Sequence, residues 1–460
     1  MHAPSTGVGS QVAASQKAVR IQLFRFDMPS MRAFHLSWMA FFSCFFAWFG
    51  IAPLMKVIRE DLHLTKEQVG YCIIASVTAT IFARLLIGRL CDAIGPRRTY
   101  TWLLVLGSLP VMGISLAWNF ESFLVMRLAI GVIGAAFVIT QYHTSIMFAP
   151  NCIGTANATT AGWGNLGGGV TQAVMPLVFA GFLALGASQS TGWRLSMVAA
   201  GIVCLLMGLA YHRFTQDTPE GNFSDLRACG KLPPKKQSQG TFWAACRDVR
   251  VWALFIAYAA CFGIELTIKN VAALYFVDYF DEFKQMTPAA ALSRAGLLAA
   301  LYGGMNIFSR TIGGIVSDRL SVRWKLSGRV SWLFVALICE GISLLWFSQA
   351  RTLASAVPAL VCLAMFVQMA AGATYAVVPF INPKALGSVA GIVGAGGNLG
   401  AVGAGLLFAD LMPWPQAIMI LGFAVVVASF ATFLVRAKPE TADAPRTEPA
   451  KVADPALAAT

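Results

Sequence analysis

Apolar stretches of bilayer length recur along almost the whole chain, separated by short polar or basic intervals. A helix needs roughly 17 to 25 mostly apolar residues to cross the hydrocarbon core. Stretches that meet this need lie near 35–55, 69–90, 100–118, 122–147, 159–183 and 193–213. After a polar interval they resume near 251–277, 294–317, 329–348, 353–379, 387–409 and 414–436. The pattern predicts an all-α membrane protein with twelve transmembrane helices. The longest hydrophilic interval contains Pro219, Pro233, Pro234 and a Lys/Ser/Gln stretch. The predicted organisation is an N-terminal segment 1–33, a six-helix half 34–213, a central loop 214–250, a second six-helix half 251–436 and a flexible tail 437–460.

The two halves share a grammar. The second span carries Arg84, Gly88 and Asp92, and the eighth carries Arg310, Gly314 and Asp318, 226 residues on. Spacing of i, i+4 and i+8 keeps each trio close to one helical face. The fifth span contains Gly164-Asn165-Leu166-Gly167-Gly168-Gly169, and the eleventh contains Gly396-Gly397-Asn398-Leu399-Gly400, with an offset of 233 between the asparagines. A looser match sets Gly134-Ala135-Ala136-Phe137 against Gly372-Ala373-Thr374-Tyr375. Three matches in register point to duplicated halves. Two parallel six-span repeats joined by a basic loop are the layout of major facilitator carriers, in which one half rocks against the other around a midplane site. The stretch Gly88 to Arg97 (G-R-L-C-D-A-I-G-P-R) resembles that superfamily's signature after the second span.

Composition agrees with this picture and narrows it. The 460 residues are 57% hydrophobic and only 12% charged, against about 25% charged in soluble domains; the mean hydropathy is +0.67. Basic residues mark the loops expected in the cytoplasm: Lys17, Arg20, Arg25 and Arg32 before the first span, then Arg89, Arg97 and Arg98. Arg227, Lys231, Lys235 and Lys236 follow, then Arg319, Arg323, Lys325 and Arg329, and finally Arg436 and Lys438. The loop 278–284, of opposite phase, is acidic, with Asp278, Asp281 and Glu282. Both termini are therefore expected in the cytoplasm, and the net charge of +13 follows from topology and not from nucleic-acid binding. The polar, basic start lacks the short apolar core of a signal peptide. Ten scattered cysteines show no C-x-x-C spacing and the five histidines do not cluster, so neither a metal site nor a cofactor is expected.

Arg84 and Arg310 are the first candidates for chemistry. Each falls inside a span with no acid within one turn of its own helix. A guanidinium in the hydrocarbon region costs at least ~2.5–3.5 kcal/mol. Two at symmetric positions also repel each other unless an anion bridges them, and the guanidinium fork suits a planar oxyanion. The bland alternative pairs each with backbone carbonyls or a distant acid. Gly164, Gly167, Gly168, Gly169, Gly396, Gly397 and Gly400 permit close helix contact and are expected at a sliding interface between the halves. Asn165 and Asn398 are amides at mid-membrane depth, able to bind a substrate or to hold an arginine. In the seventh span Tyr258, Phe262, Glu265 and Lys269 form one stripe at i, i+4, i+7 and i+11. Aromatic stripes commonly pack. Glu265 and Lys269 either neutralise each other or make Glu265 a proton carrier. Arg127, near the outer end of the fourth span, is read as structural.

The segments A-G-W-G-N-L-G-G-G-V-T-Q (161–172) and G-A-G-G-N-L-G (394–400) resemble the paired signatures of the nitrate/nitrite porter family (NarK-like) of the major facilitator superfamily. So do F-H-L-S-W-M-A-F-F (34–42), A-R-L-L-I-G-R-L-C-D (83–92) and G-I-E-L-T-I-K-N (263–270). The resemblance implies an inner-membrane carrier in which Arg84 and Arg310 clamp nitrate. Phe137, Tyr258 and Phe262 would pack around the planar anion, with Asn165 nearby. Members exchange nitrate for nitrite or import nitrate with protons; the stretch around Glu265 looks like the proton-coupled branch, whereas Lys269 departs from its relatives. The expectation is nitrate/proton symport, with nitrate/nitrite antiport as the alternative. A carrier for another small anion such as formate or a carboxylate, and a non-transporting nitrate sensor, follow behind. Without a nucleophile–base pair or metal cluster, an enzyme is not expected.

Overall fold

The first half consists of α1 (Pro29–Phe49), α2 (Lys66–Ile94), α3 (Pro96–Gly113), α4 (Phe120–Met147), α5 (Ile153–Ala184) and α6 (Gln189–Phe214). The second consists of α7 (Val249–Tyr279), α8 (288–324), α9 (326–349), α10 (Leu353–Val377), α11 (Leu386–Leu406) and α12 (Trp414–Ser429). This computed structural model describes residues 17–231, 241–286, 288–408 and 412–436. Pro233, Pro234, Lys235, Lys236, Lys438 and the tail 437–460 lie outside the described residues, as do residues 1–16 of the N-terminal segment.

Among the described residues, eleven helical segments are long and apolar enough to cross a membrane, and one of them, Arg294–Gln349, is two crossings. It reverses at Lys325, whose φ of 48° and ψ of −135° leave the helical region. Trp332 Nε1 then donates to Gly313 O at 3.0 Å, and Arg329 pairs with Asp318 at 2.6 Å, so α9 runs back along α8. Chain reversal, not length, yields the twelfth span. Other boundaries come from local chemistry. Reciprocal capping boxes, Thr65 with Gln68 and Asn119 with Ser122, satisfy free N–H groups at the starts of α2 and α4. Gly95 turns α2 into α3 at a φ of +89°, where an added Cβ would also strike the Asp217 carboxylate.

The halves meet along two equivalent seams, α2 against α11 and α8 against α5. At the end of the bundle carrying Arg97, Arg98, Arg319 and Arg323 (the basic end), both seams are shut. Asp92 accepts from Gly387 N and Ser388 N, each at 2.9 Å, and from Ser388 Oγ at 2.8 Å. Asp318 accepts from Gly154 N at 3.0 Å, Thr155 N at 2.6 Å and Thr155 Oγ at 2.7 Å. Each aspartate thus caps the N-terminus of a helix in the opposite half, filling N–H groups its own chain leaves free. One to two turns deeper the backbones touch. A Cβ at Gly88 would meet Gly387 O, and one at Gly314 would meet Gly154 O. Toward the opposite end the seam helices part: Gly70 on α2, Gly169 on α5, Gly296 and Gly303 on α8, and Gly403 on α11 have nothing described within 4 Å.

This layout changes the reading of the glycine-rich runs. Gly164 faces the Phe41 ring, Gly167 faces Phe42 O and Gly168 the Phe49 ring, all on α1 of the same half. Gly396, Gly397 and Gly400 likewise face Phe255, Tyr258 with Phe262, and Ala259 of α7. Those six pack within halves, and Gly169 packs on nothing described. Glycines that do meet the opposite half include Gly88, Gly154, Gly162, Gly314, Gly372, Gly387, Gly391 and Gly394. Helical phase decides this, because one residue along a helix turns the contact by about 100°.

Candidate functional site

Arg84 and Arg310, both buried, converge on one set of aromatic rings from opposite halves. Phe137 of α4 and Tyr258 and Phe262 of α7 lie nearly parallel. Their interplanar angles are 10° for Phe137–Tyr258, 13° for Phe137–Phe262 and 4° for Tyr258–Phe262. The Arg84 Cζ is 5.4 Å from the centroids of both Phe137 and Phe262, and the Arg310 Cζ is 5.9 Å from that of Phe262. Phe262 therefore stands between two cations, within the range of attraction by a ring face. Tyr375 of α10 closes the set edge-on, at 4.7 Å from Phe137 and 5.0 Å from Tyr258, with its hydroxyl donating to Ala390 O at 2.9 Å. The weak match of Phe137 with Tyr375 between the halves was the sequence signal for this residue.

The two arginines are not equivalently compensated, and for Arg310 the expectation of an unpaired charge is corrected. Its Nη2 lies 2.5 Å from Glu265 Oε2, an ion pair reaching from α8 to α7. Acids within one turn were the wrong place to look, since the partner is 45 residues away in sequence. Arg84 has only backbone oxygens: Gly394 O, across the seam, and Gly134 O at 3.5 Å.

Glu265 is a hub. Its Oε1 accepts from Lys269 Nζ at 2.7 Å, Asn165 Nδ2 at 2.7 Å and Asn306 Nδ2 at 2.8 Å. Asn165 belongs to α5, so this bond also crosses between halves. Three of its four donors thus crowd on Oε1 and one, Arg310, is on Oε2. Asn306 sits one turn before Arg310, in the 3-10 turn Met305–Ile307 that interrupts α8. The equivalent place before Arg84 holds Thr80, whose hydroxyl donates to Gly131 O at 2.6 Å. Asn306 escaped the sequence reading, although a polar residue one turn ahead of each arginine was its trace.

Three cations, Arg84, Arg310 and Lys269, stand against one carboxylate, Glu265. Several buried polar atoms here are also unfilled: Nε of Arg84, Nε of Arg310, and both amide atoms of Asn398. The Tyr258 hydroxyl, close to Arg310, makes no hydrogen bond of normal geometry. Excess positive charge, spare N–H and O–H donors and flat apolar walls thus meet in one place. Asn165 is committed to Glu265, whereas Asn398 is free. Arg127 donates to Trp48 O at 3.2 Å, away from this cluster. No group of three His, Cys, Asp or Glu that could hold a metal occurs among the described residues.

The sequence matches the Major Facilitator Superfamily over residues 37–405, which spans both halves. It is 39% identical over 399 residues to the "High affinity nitrate transporter 2.5" of Arabidopsis thaliana, covering 86% of this chain and 77% of that one. It is 28% identical over 500 residues to the "Nitrate/nitrite transporter NrtP" of Nostoc punctiforme, covering 93% and 96%. Among solved structures, the proton:xylose symporter XylE superposes with a TM-score of 0.67 at 14% identity, over 88% of this chain and 95% of that one. A human organic anion transporter superposes with a TM-score of 0.62 at 14% identity, over 88% and 99%. The structural neighbours share the fold, and the sequence relatives define the branch. The chain belongs to the nitrate/nitrite porter family of the major facilitator superfamily.

Proposed function

We propose that the protein carries nitrate across the plasma membrane (the inner membrane of a bacterium) by alternating access, one anion binding between Arg84 and Arg310. The observation that carries this reading is the buried surplus of positive charge with unfilled donors at one aromatic cluster. Because one arginine comes from each half, a bound anion cancels their repulsion and draws the halves together. Phe137 and Phe262 supply apolar faces for a flat ion. Asn398 and Tyr258 supply neutral donors. The basic end faces the cytoplasm by the excess of lysine and arginine, so both termini do too, and the parted end receives substrate.

Nitrate enters with protons in this account, a reading supported by the buried carboxylate Glu265 beside Arg310. Nitrite, a smaller planar anion, is a second substrate that the same geometry accepts. Reconstitution in proteoliposomes tests the reading. Arg84→Lys and Arg310→Lys each replace a fork by a point charge. Each should cost about 1.5–3 kcal/mol of anion binding, roughly a tenfold to hundredfold loss of nitrate affinity, with the thermal melt preserved. Near-normal uptake by either variant contradicts the two-arginine site. Uptake that requires nitrite inside and ignores an imposed pH gradient would make the carrier an exchanger.

A further inference from the structure

Glu340 of α9 is fully buried, and neither of its oxygens accepts a hydrogen bond from any described residue. The other buried carboxylates, Glu265, Asp318 and Asp217, and the half-buried Asp92 do not resemble it, since each accepts at least two hydrogen bonds. A carboxyl kept as a structural anchor would have such partners. Ionised carboxylates are strongly disfavoured in apolar surroundings without donors, so this one stands as the neutral acid.

Its surroundings are those of a proton site. From α7, Cys261 and Glu265 lie within electrostatic reach, and from α8, Tyr302 does. The Tyr302 hydroxyl has no partner. From α10, Gln368 donates through Nε2 to Tyr302 O at 3.1 Å, leaving its own Oε1 unfilled. The titratable groups of α10 are Cys362 and Tyr375, and the Tyr375 hydroxyl is already bonded to Ala390 O. Helix α12, which meets α9 through Gly422 and Val426 beside Gly341, has no titratable side chain. On α9 itself the neighbouring Cys339 is half-buried, and Arg329 is bound to Asp318. Arg436 bonds Ser331, toward the basic end. These helices thus hold a carboxyl without donors, a hydroxyl without a partner and an unfilled amide oxygen, none of them bonded to another.

We propose that Glu340 takes up the proton that travels with the anion, and that Glu265 is a fixed counter-ion. This inference rests on the reading of the protein as a nitrate/proton symporter. With Glu340 neutral, the arginines and Lys269 exceed Glu265 by two charges. With Glu340 ionised, a second negative charge lies near Glu265 and the surplus falls to one. The anion is therefore held more firmly when the proton is present, and by reciprocity the proton is held more firmly when the anion is present. The proton joins a carboxylate oxygen from the parted side and leaves when the basic end opens. No other bond changes.

Proteoliposomes containing a pH dye, with the membrane potential clamped, test this while internal nitrate is assayed chemically. The wild-type interior should acidify as nitrate enters. Glu340→Gln, a permanent mimic of the neutral acid, should carry nitrate down its gradient without acidification, and its accumulation under an imposed pH gradient should fall to background. Glu340→Asp should retain acidification with a displaced pH profile, which keeps the test alive if the glutamine variant fails to fold. Acidification per nitrate equal to wild type in Glu340→Gln, or an unmoved profile in Glu340→Asp, overturns the assignment. Wild-type nitrate flux without acidification overturns it too, while leaving nitrate carriage intact. Absence of wild-type nitrate flux overturns the underlying reading itself.

Discussion

Arg84 and Arg310 hold the same place in the two halves, yet their neighbours differ in kind. Arg310 is tied to Glu265, which also holds Lys269, Asn165 and Asn306; Arg84 has carbonyl oxygens only. Breaking a buried pair strands a charge at about 3–5 kcal/mol. Glu265→Gln should therefore lower the melting temperature and abolish nitrate uptake with or without a pH gradient, which flux and melting assays on one preparation would show. A variant that melts normally and loses only the response to pH would instead make Glu265 the proton carrier. The identities of the charged and aromatic groups were legible in the sequence. Their pairing was not, since Glu265 and Arg310 lie on different helices and no periodicity relates them. Glu340 escaped notice for the opposite reason: one acid in an apolar run gains meaning only when its lack of donors is seen.

The trio of Arg, Gly and Asp on α2 and again on α8 acts as a graded element. Its first residue enters the site, its second lets the seam close, and its third caps a helix of the opposite half. The repeat was visible in the sequence; which helix each aspartate would cap was not, because a cap supplied across the bundle leaves no local pattern. An N-cap contact is worth about 0.5–2 kcal/mol. Asp92→Ala and Asp318→Ala should each shift the closed seam toward opening by that amount, several-fold in population. Distances between spin labels across the basic end should broaden, more so in the double variant. Gly88→Val should do the same by steric means, since a side chain there meets Gly387 O. The glycine-rich runs teach the complementary lesson. Their composition announced tight packing, but the phase of each helix directed that packing onto α1 and α7.

The whole molecule is shut at the basic end and parted at the other, with the paired arginines between. Twelve spans and duplicated halves were readable from apolar length and internal repeats, since both leave periodic marks. The state of the seams was not, because it depends on contacts between halves and not on composition. Anion binding should close the parted end, as the bridge removes repulsion between the halves. Spin labels at Gly70 and Gly403, where side chains have room, should move closer together on adding nitrate and should not move in Arg84→Lys. The most direct test is the structure of the protein with nitrate bound. One planar anion should lie between the Arg84 and Arg310 guanidinium groups, flanked by Phe137 and Phe262. Nitrate bound elsewhere, with Arg84 still on Gly394 and Gly134 and Arg310 still bound only to Glu265, would contradict it.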